Sequence, residues 1–156
     1  MPADPAPPAP RIGVRLTLPG DAGELFADVR ALEAANVDAL WADAADADPY
    51  VVLAACAAVT WRVALVAFGA PNGSGRATCE LLARGRLVIA EDAARSGERW
   101  IRQGFPESKL AWREARAAAL KDGATGIVLP NDPRLLDLLR NPDVDDDRSD
   151  LDIAVG

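Results

Sequence analysis

The residues able to do chemistry in this chain are carboxylates and arginines. Its 156 residues include 24 Asp and Glu, 17 Lys and Arg, two Cys and no His, so a histidine-based proton relay is excluded. The densest acidic stretch is LWADAADADPY, residues 40–50, where Asp43, Asp46 and Asp48 follow an apolar run. Carboxylates converging on one rim could hold Mg²⁺ or Ca²⁺, which take oxygen ligands. No loop with EF-hand spacing is present, and no metal is expected. Asp48 precedes Pro49 and Asp132 precedes Pro133. A carboxylate that accepts free amide protons ahead of a proline-started helix accounts for both as caps. Asp43 and Glu91 have no such local explanation and are the better functional candidates.

A second stretch, GAPNGSGRAT at 69–78, places Gly69, Gly73 and Gly75 between an apolar run and a helical one. Its spacing is not that of the nucleotide-binding loop, and Arg76 stands where that loop has lysine followed by a hydroxyl residue. A flexible connection is the simpler reading, although its amides and Arg76 could meet a small anion, with Arg95 and Arg99 assisting. Cys56 and Cys79 lie among apolar neighbours in helical runs and read as reduced packing residues.

Positioning these residues falls to strand-like runs alternating with helical ones. MPADPAPPAP, with five prolines, predicts an extended, disordered Pro/Ala-rich tail over 1–10, and a single domain over 11–156. RIGVRLTL reads as a strand, and Leu25, Val29 and Leu32 mark the buried stripe of the helix after it. VDALWAD, RVALVAFG, RLVIAED and TGIVLP continue the strands, with DLDIAVG as a terminal sixth. PYVVLAACAAVT, RATCELLAR and RLLDLLRN read as helices between them. AARSGERWIRQGF and SKLAWREARAAALKDG read as two helical pieces broken at Gly104 to Pro106, the second stopping at Gly123. Trp41 and Trp61, at strands, read as core; core packing is also favoured over an interface for Trp100 and Trp112.

Strands apolar on both faces and alternating with helices call for a parallel sheet covered by helices, an α/β protein. An open doubly wound sheet competes with a curved or closed β/α barrel. An eight-unit barrel takes about 250 residues, so a barrel here would be truncated to about six βα units. Ligands in either arrangement sit at the carboxyl ends of the strands. Those ends present Thr17, Asp43, Phe68, Gly69, Glu91, Asp92, Asn131 and Asp132.

The run from Ala31 to Gly69 also resembles the luciferase-like monooxygenase family. The matching residues are Leu32, Glu33, Asp38, Leu40, Trp41, Asp43, Asp48, Pro49, Tyr50, Leu53, Ala54, Ala57 and Thr60. ARGRLVIAED extends the likeness over about the first 90 residues. The resemblance implies a TIM-barrel-like fold, FMN or a deazaflavin such as F420 as cofactor, and oxidoreductase chemistry on a small molecule. The departures are specific. No histidine follows the second strand, and Ala90, Glu91 and Asp92 replace glycines that would let the backbone approach a ligand. The family's phosphate anchor depends on late strands that this chain is not expected to reach.

Asp43, Phe68, Gly69, Arg76 and Glu91 are therefore the candidate cofactor- or ligand-binding residues, with no catalytic residue assigned. A non-catalytic ligand-binding relative is the alternative to an active flavoprotein, as is a subunit whose open barrel edge pairs with a second copy in a homodimer or with another subunit. A net charge of −7 argues against nucleic acid and anionic lipid. With no run long enough for a membrane span and no leader pattern, a cytoplasmic location is expected.

Overall fold

The computed structural model describes residues 9–91, 94–95 and 97–143. In chain order the elements are β1 (Arg11–Arg15), α1 (Ala22–Ala34), β2 (Ala39–Asp43), α2 (Pro49–Val59), β3 (Ala64–Phe68), α3 (Arg76–Ala83) and β4 (Leu87–Ala90). They continue with β5 (Ala94–Arg95), β6 (Glu98–Arg102), α4 (Lys109–Lys121), β7 (Gly126–Pro130) and α5 (Leu135–Arg140). DLDIAVG, Asp92 and most of the proline-rich tail lie outside the described residues. No helix among the described residues is long and apolar enough to cross a membrane.

Local chemistry sets the helix starts. Asp21, Asp48 and Ser108 each accept an amide proton at the start of α1, α2 and α4, and Pro49 occupies the first turn of α2. Asp132 acts slightly ahead of α5, where its carboxylate accepts the Arg134 amide and its carbonyl the Leu135 amide.

The sheet order is β4-β3-β2-β1-β7-β6-β5, with β1, β2, β3, β4, β6 and β7 mutually parallel and β5 antiparallel to β6. From β6 through β7 and β1 to β4, the neighbours follow chain order taken as a circle. A doubly wound sheet would reverse direction at a switch point instead. The sheet is strongly curled. Trp41 on β2 and Trp100 on β6 stand three strands apart, about 14 Å on a flat sheet, yet their ring centroids are 5.7 Å apart in an edge-on contact.

Two cores follow from this curl. Leu25, Val29, Leu53, Cys56, Cys79, Trp112 and Leu135 bring all five helices onto one face of the sheet, against Val14, Leu40, Leu65, Ile127 and Leu129. The concave face has its own core of strand residues alone, centred on Trp41, Val66, Trp100 and Val128. The two indoles need bare backbone opposite them. A Cβ on Gly13 would lie 2.6 Å from Trp41 Nε1, and one on Gly126 would lie 2.4 Å from the Trp100 ring.

Two expectations are corrected. AARSGERWIRQGF holds the β5–β6 hairpin rather than a helix. Glu98, Trp100 and Arg102 alternate onto the concave side with strand period, and Gly97 at φ 83° turns the chain between the two strands. Trp100 is therefore core, but on a strand. Trp61 is 68% exposed rather than buried, with the Arg84 guanidinium 4.9 Å from its ring centroid.

Candidate functional site

At the carboxyl end of the curl, β1, β2, β3 and β6 each deliver their last inward-facing residue: Arg15, Asp43, Phe68 and Arg102. Register makes this inevitable once the sheet curls, because Arg15 lies beside Trp41 and Asp43 beside Phe68, while Arg102 pairs with Val128 of β7. Asp43 Oδ2 stands 3.0 Å from an Arg102 nitrogen and 3.6 Å from Arg15 Nη2, and Asp43 Oδ1 accepts the Ala45 amide at 2.9 Å. Asp46 takes Arg15 Nη2 at 2.7 Å. The Arg102 guanidinium also lies 4.5 Å from the Phe68 ring centroid, a cation–π contact.

Burial works to raise the Asp43 pKa, but the Ala45 amide and the charges of Arg102 and Arg15 outweigh it and hold the carboxyl below its ordinary value. Asp43 is thus an anion held between cations. Beside it opens a cleft of 530 Å³, lined by Arg15, Asp43, Arg102, Gln103, Gly104 and Pro130 among others. Beneath, on the concave face, Arg15 Nε and Trp41 Nε1 are buried without a hydrogen-bond partner. Both are donors; Trp41 Nε1 lies against Gly13, while Arg15 belongs to the cleft lining, where its Nε–H has no carboxylate to accept it.

Of the sequence-derived candidates, the fold brings Asp43 and Phe68 together and leaves the others apart. Gly69 follows Phe68 at φ 75°, a turn geometry that suits glycine, and its amide donates to the Ala90 carbonyl. Arg76 is committed at the start of α3, to Glu80 Oε1 at 2.9 Å and the Pro71 carbonyl at 3.0 Å. The glycine loop around it packs on Tyr50, since a Cβ on Gly73 would meet that ring at 2.6 Å. That contact accounts for Gly73 without a phosphate. Glu91 is exposed just past β4. Thr17, Asn131 and Asp132 line a separate cleft of 300 Å³, where Asn131 donates to Asp28 at 3.3 Å.

Arg15, Arg102, Gln103 and Trp41 were not singled out as site residues by the sequence. The signal for Arg15 was the alternation Arg11, Gly13, Arg15 within the first strand. For Arg102 it was Glu98, Trp100, Arg102, hidden by a helical reading of that segment. Among the described residues no cluster of three or more His, Cys, Asp or Glu could hold a metal ion. Comparison with family models, with curated proteins and with solved structures returns no match.

Proposed function

We propose that this chain is a shortened, luciferase-like relative of the TIM barrel that binds a flat, acidic small molecule at its carboxyl-end mouth, FMN or the deazaflavin F420 being the first ligands to try. The observation that carries the reading is the meeting of Arg15, Asp43, Arg102 and Phe68 from four strands beside an open cleft. Its volume lies within the ~300–1,000 Å³ of small-molecule sites. Arg102, its guanidinium 4.5 Å from the Phe68 ring centroid, places a cation beside an aromatic ring, and guanidiniums suit phosphate and carboxylate groups and stack on aromatic faces. The unpartnered donor Arg15 Nε, on a side chain that lines the cleft, fits a ligand rich in acceptor atoms. Arg15, Arg102 and Gln103 would hold it.

A bound flavin supplies oxidoreductase or monooxygenase chemistry, and the protein contributes orientation and exclusion of water. Titration of the purified protein with FMN and with F420, followed by flavin fluorescence, tests this. Micromolar or tighter binding supports the reading, and no binding of either ends it.

The second reading is a non-catalytic subunit, cytoplasmic and homodimeric or paired with another chain. Val51, Leu81 and Leu82 favour it, because they are exposed on α2 and α3, the latter leading directly into the edge strand β4. Sedimentation velocity across a range of concentrations separates the two readings: a monomer at every concentration removes the homodimer.

A further inference from the structure

We infer that Asp43 is a built-in counter-ion, seated on the guanidiniums of Arg15 and Arg102 where the acidic group of a ligand sits when the mouth is filled. This rests on the proposed ligand site and deepens it, because it names what the ligand must carry: a carboxylate or a phosphate.

The balance of donors and acceptors leads there. Asp43 Oδ1 is engaged by the Ala45 amide, which leaves Oδ2 to face two guanidiniums. At 3.6 Å from Arg15 Nη2 it is beyond hydrogen-bond reach of that nitrogen, which turns to Asp46 instead. Arg15 Nε is left without an acceptor. Trp41 Nε1 is in the same condition on a side chain 1% exposed, and these two are the only such buried nitrogens recorded among the described residues. They are not scattered. Arg15 and Trp41 are register partners on β1 and β2, so they project from the concave face side by side, just below Asp43. Buried donors are normally satisfied. Trp41 Nε1 faces Gly13, so the open donor that adjoins the cleft is Arg15 Nε. Together with the guanidiniums of Arg15 and Arg102 it matches an oxyanion, which brings two or three acceptor atoms where Asp43 offers one.

Asp43 is also placed to yield. Its Oδ1 bond belongs to its own turn, so Oδ2 can leave Arg102 without unravelling the backbone, while Arg102 keeps its cation–π contact with Phe68. An incoming phosphate or carboxylate therefore competes with Asp43, and the resident carboxylate weakens every acidic ligand. A merely structural ion pair would show no such competition.

The test compares the wild-type chain with Asp43→Asn, which keeps the side-chain oxygen for the Ala45 amide and removes the charge. The probes are inorganic phosphate by calorimetry, and FMN and riboflavin by flavin fluorescence; riboflavin has the same ring without the phosphate. The substitution is expected to tighten phosphate and FMN binding at least tenfold and to leave riboflavin unchanged. Adding Arg102→Gln is expected to cancel the gain. Equal gains for FMN and riboflavin, or no gain for phosphate, would overturn the inference. A tenfold gain for phosphate with no FMN binding to either protein upholds it and removes the flavin reading alone. Should Asp43→Asn fail to fold, Asp46→Asn frees Arg15 from the exposed side. A tighter hold on phosphate there supports the same competition, and none rejects it.

Discussion

Gly126→Ala adds one methyl group at the point where the concave face has least room. The added Cβ would lie 2.4 Å from Trp100 Cε3 and Cζ3 and 2.8 Å from Cη2, well inside any contact that real Cβ atoms make. The cost is not conformational, since Gly126 is not among the glycines with positive φ. The ring must move, and little lets it. Trp100 meets Trp41 edge-on, Trp41 is seated over Gly13, and Trp100 Nε1 donates to Glu98 at 3.2 Å. Overpacking of this kind costs about 1–3 kcal/mol, and a rigid bicyclic ring places it near the upper end. Loss of chain entropy in the unfolded state offsets about 0.4–1 kcal/mol. The net destabilisation is about 2 kcal/mol, or a Tm lower by about 4–8 °C for a domain of this size. Urea denaturation followed by tryptophan emission measures it, with the midpoint falling and the slope unchanged. Combining Gly126→Ala with Trp100→Leu should recover part of the loss, because the leucine vacates the space. An unchanged or raised midpoint in the single variant would refute the claim that the tryptophan pair fills the curl.

Arg86→Met should destabilise the protein by about 2–4 kcal/mol. The guanidinium donates to the carbonyls of Ala57, Thr60, Val63 and Ala83 and to the Thr60 hydroxyl, closing the end of α2; a chemical melt within 0.5 kcal/mol of wild type (~0.5, the usual scale of surface changes) would deny that role. Glu33 accepts the amides of Trp61, Arg62 and Val63. Burial acts to raise its pKa, but those amides and the Arg62 charge hold it below 4.5. Its stabilisation is therefore full above pH 4.5 and is lost as pH falls through the lower folded value. Glu33→Gln should lower stability at pH 7 by about 1 kcal/mol, most of the carboxylate being solvent-screened, and the gap from wild type should close in acid; a gap independent of pH would contradict this. Burial pushes the Cys56 thiol up to about 12, so a thiol reagent at pH 8 should label it at the rate of unfolding, and rapid labelling of the native protein would contradict its placement.

The periodicity of the sequence was enough to locate most elements. Leu25, Val29 and Leu32 do face the sheet, Asp48 does cap α2, and the α/β class follows from apolar runs alternating with helical ones. β6 escaped because ERWIR mixes charge with apolar bulk and has no uninterrupted apolar run. Its inward residues are Glu98, Trp100 and Arg102, two of them charged because they reach the two open ends of the curl rather than its middle. The same feature hid half of the mouth. Asp43 was visible as an acid at a strand end without a capping role, but its partners lie 28 positions before it and 59 after it in sequence, and only curvature joins them. Trp61 was misplaced because its neighbours are strand-like, whereas the chain there is a loop whose amides turn inward to Glu33.

The two ends of the concave face are built alike, and the comparison identifies the one that is incomplete. At the amino end Arg11 pairs with Glu98, lies 5.8 Å from the centroid of Trp100, and Glu98 also accepts the Trp100 indole N–H. That indole is satisfied, and the charges stand one to one. At the carboxyl end the pattern recurs with Arg102, Asp43 and Phe68, and with Trp41 as the indole, yet here the indole N–H and Arg15 Nε have no acceptor. A plug that served stability alone could have been finished as the amino end is, with one carboxylate reaching the indole. Asp43 instead spends one oxygen on its own turn and leaves Arg15 Nε buried without an acceptor, on a side chain that lines a 530 Å³ cleft. Buried donors left unsatisfied destabilise a fold, and each one in a native structure calls for an explanation such as strain, a catalytic role, or a bound water or ion. The two ends therefore differ in their donors more than in their charges: the amino-end indole has its acceptor in Glu98, whereas Trp41 Nε1 and Arg15 Nε have none.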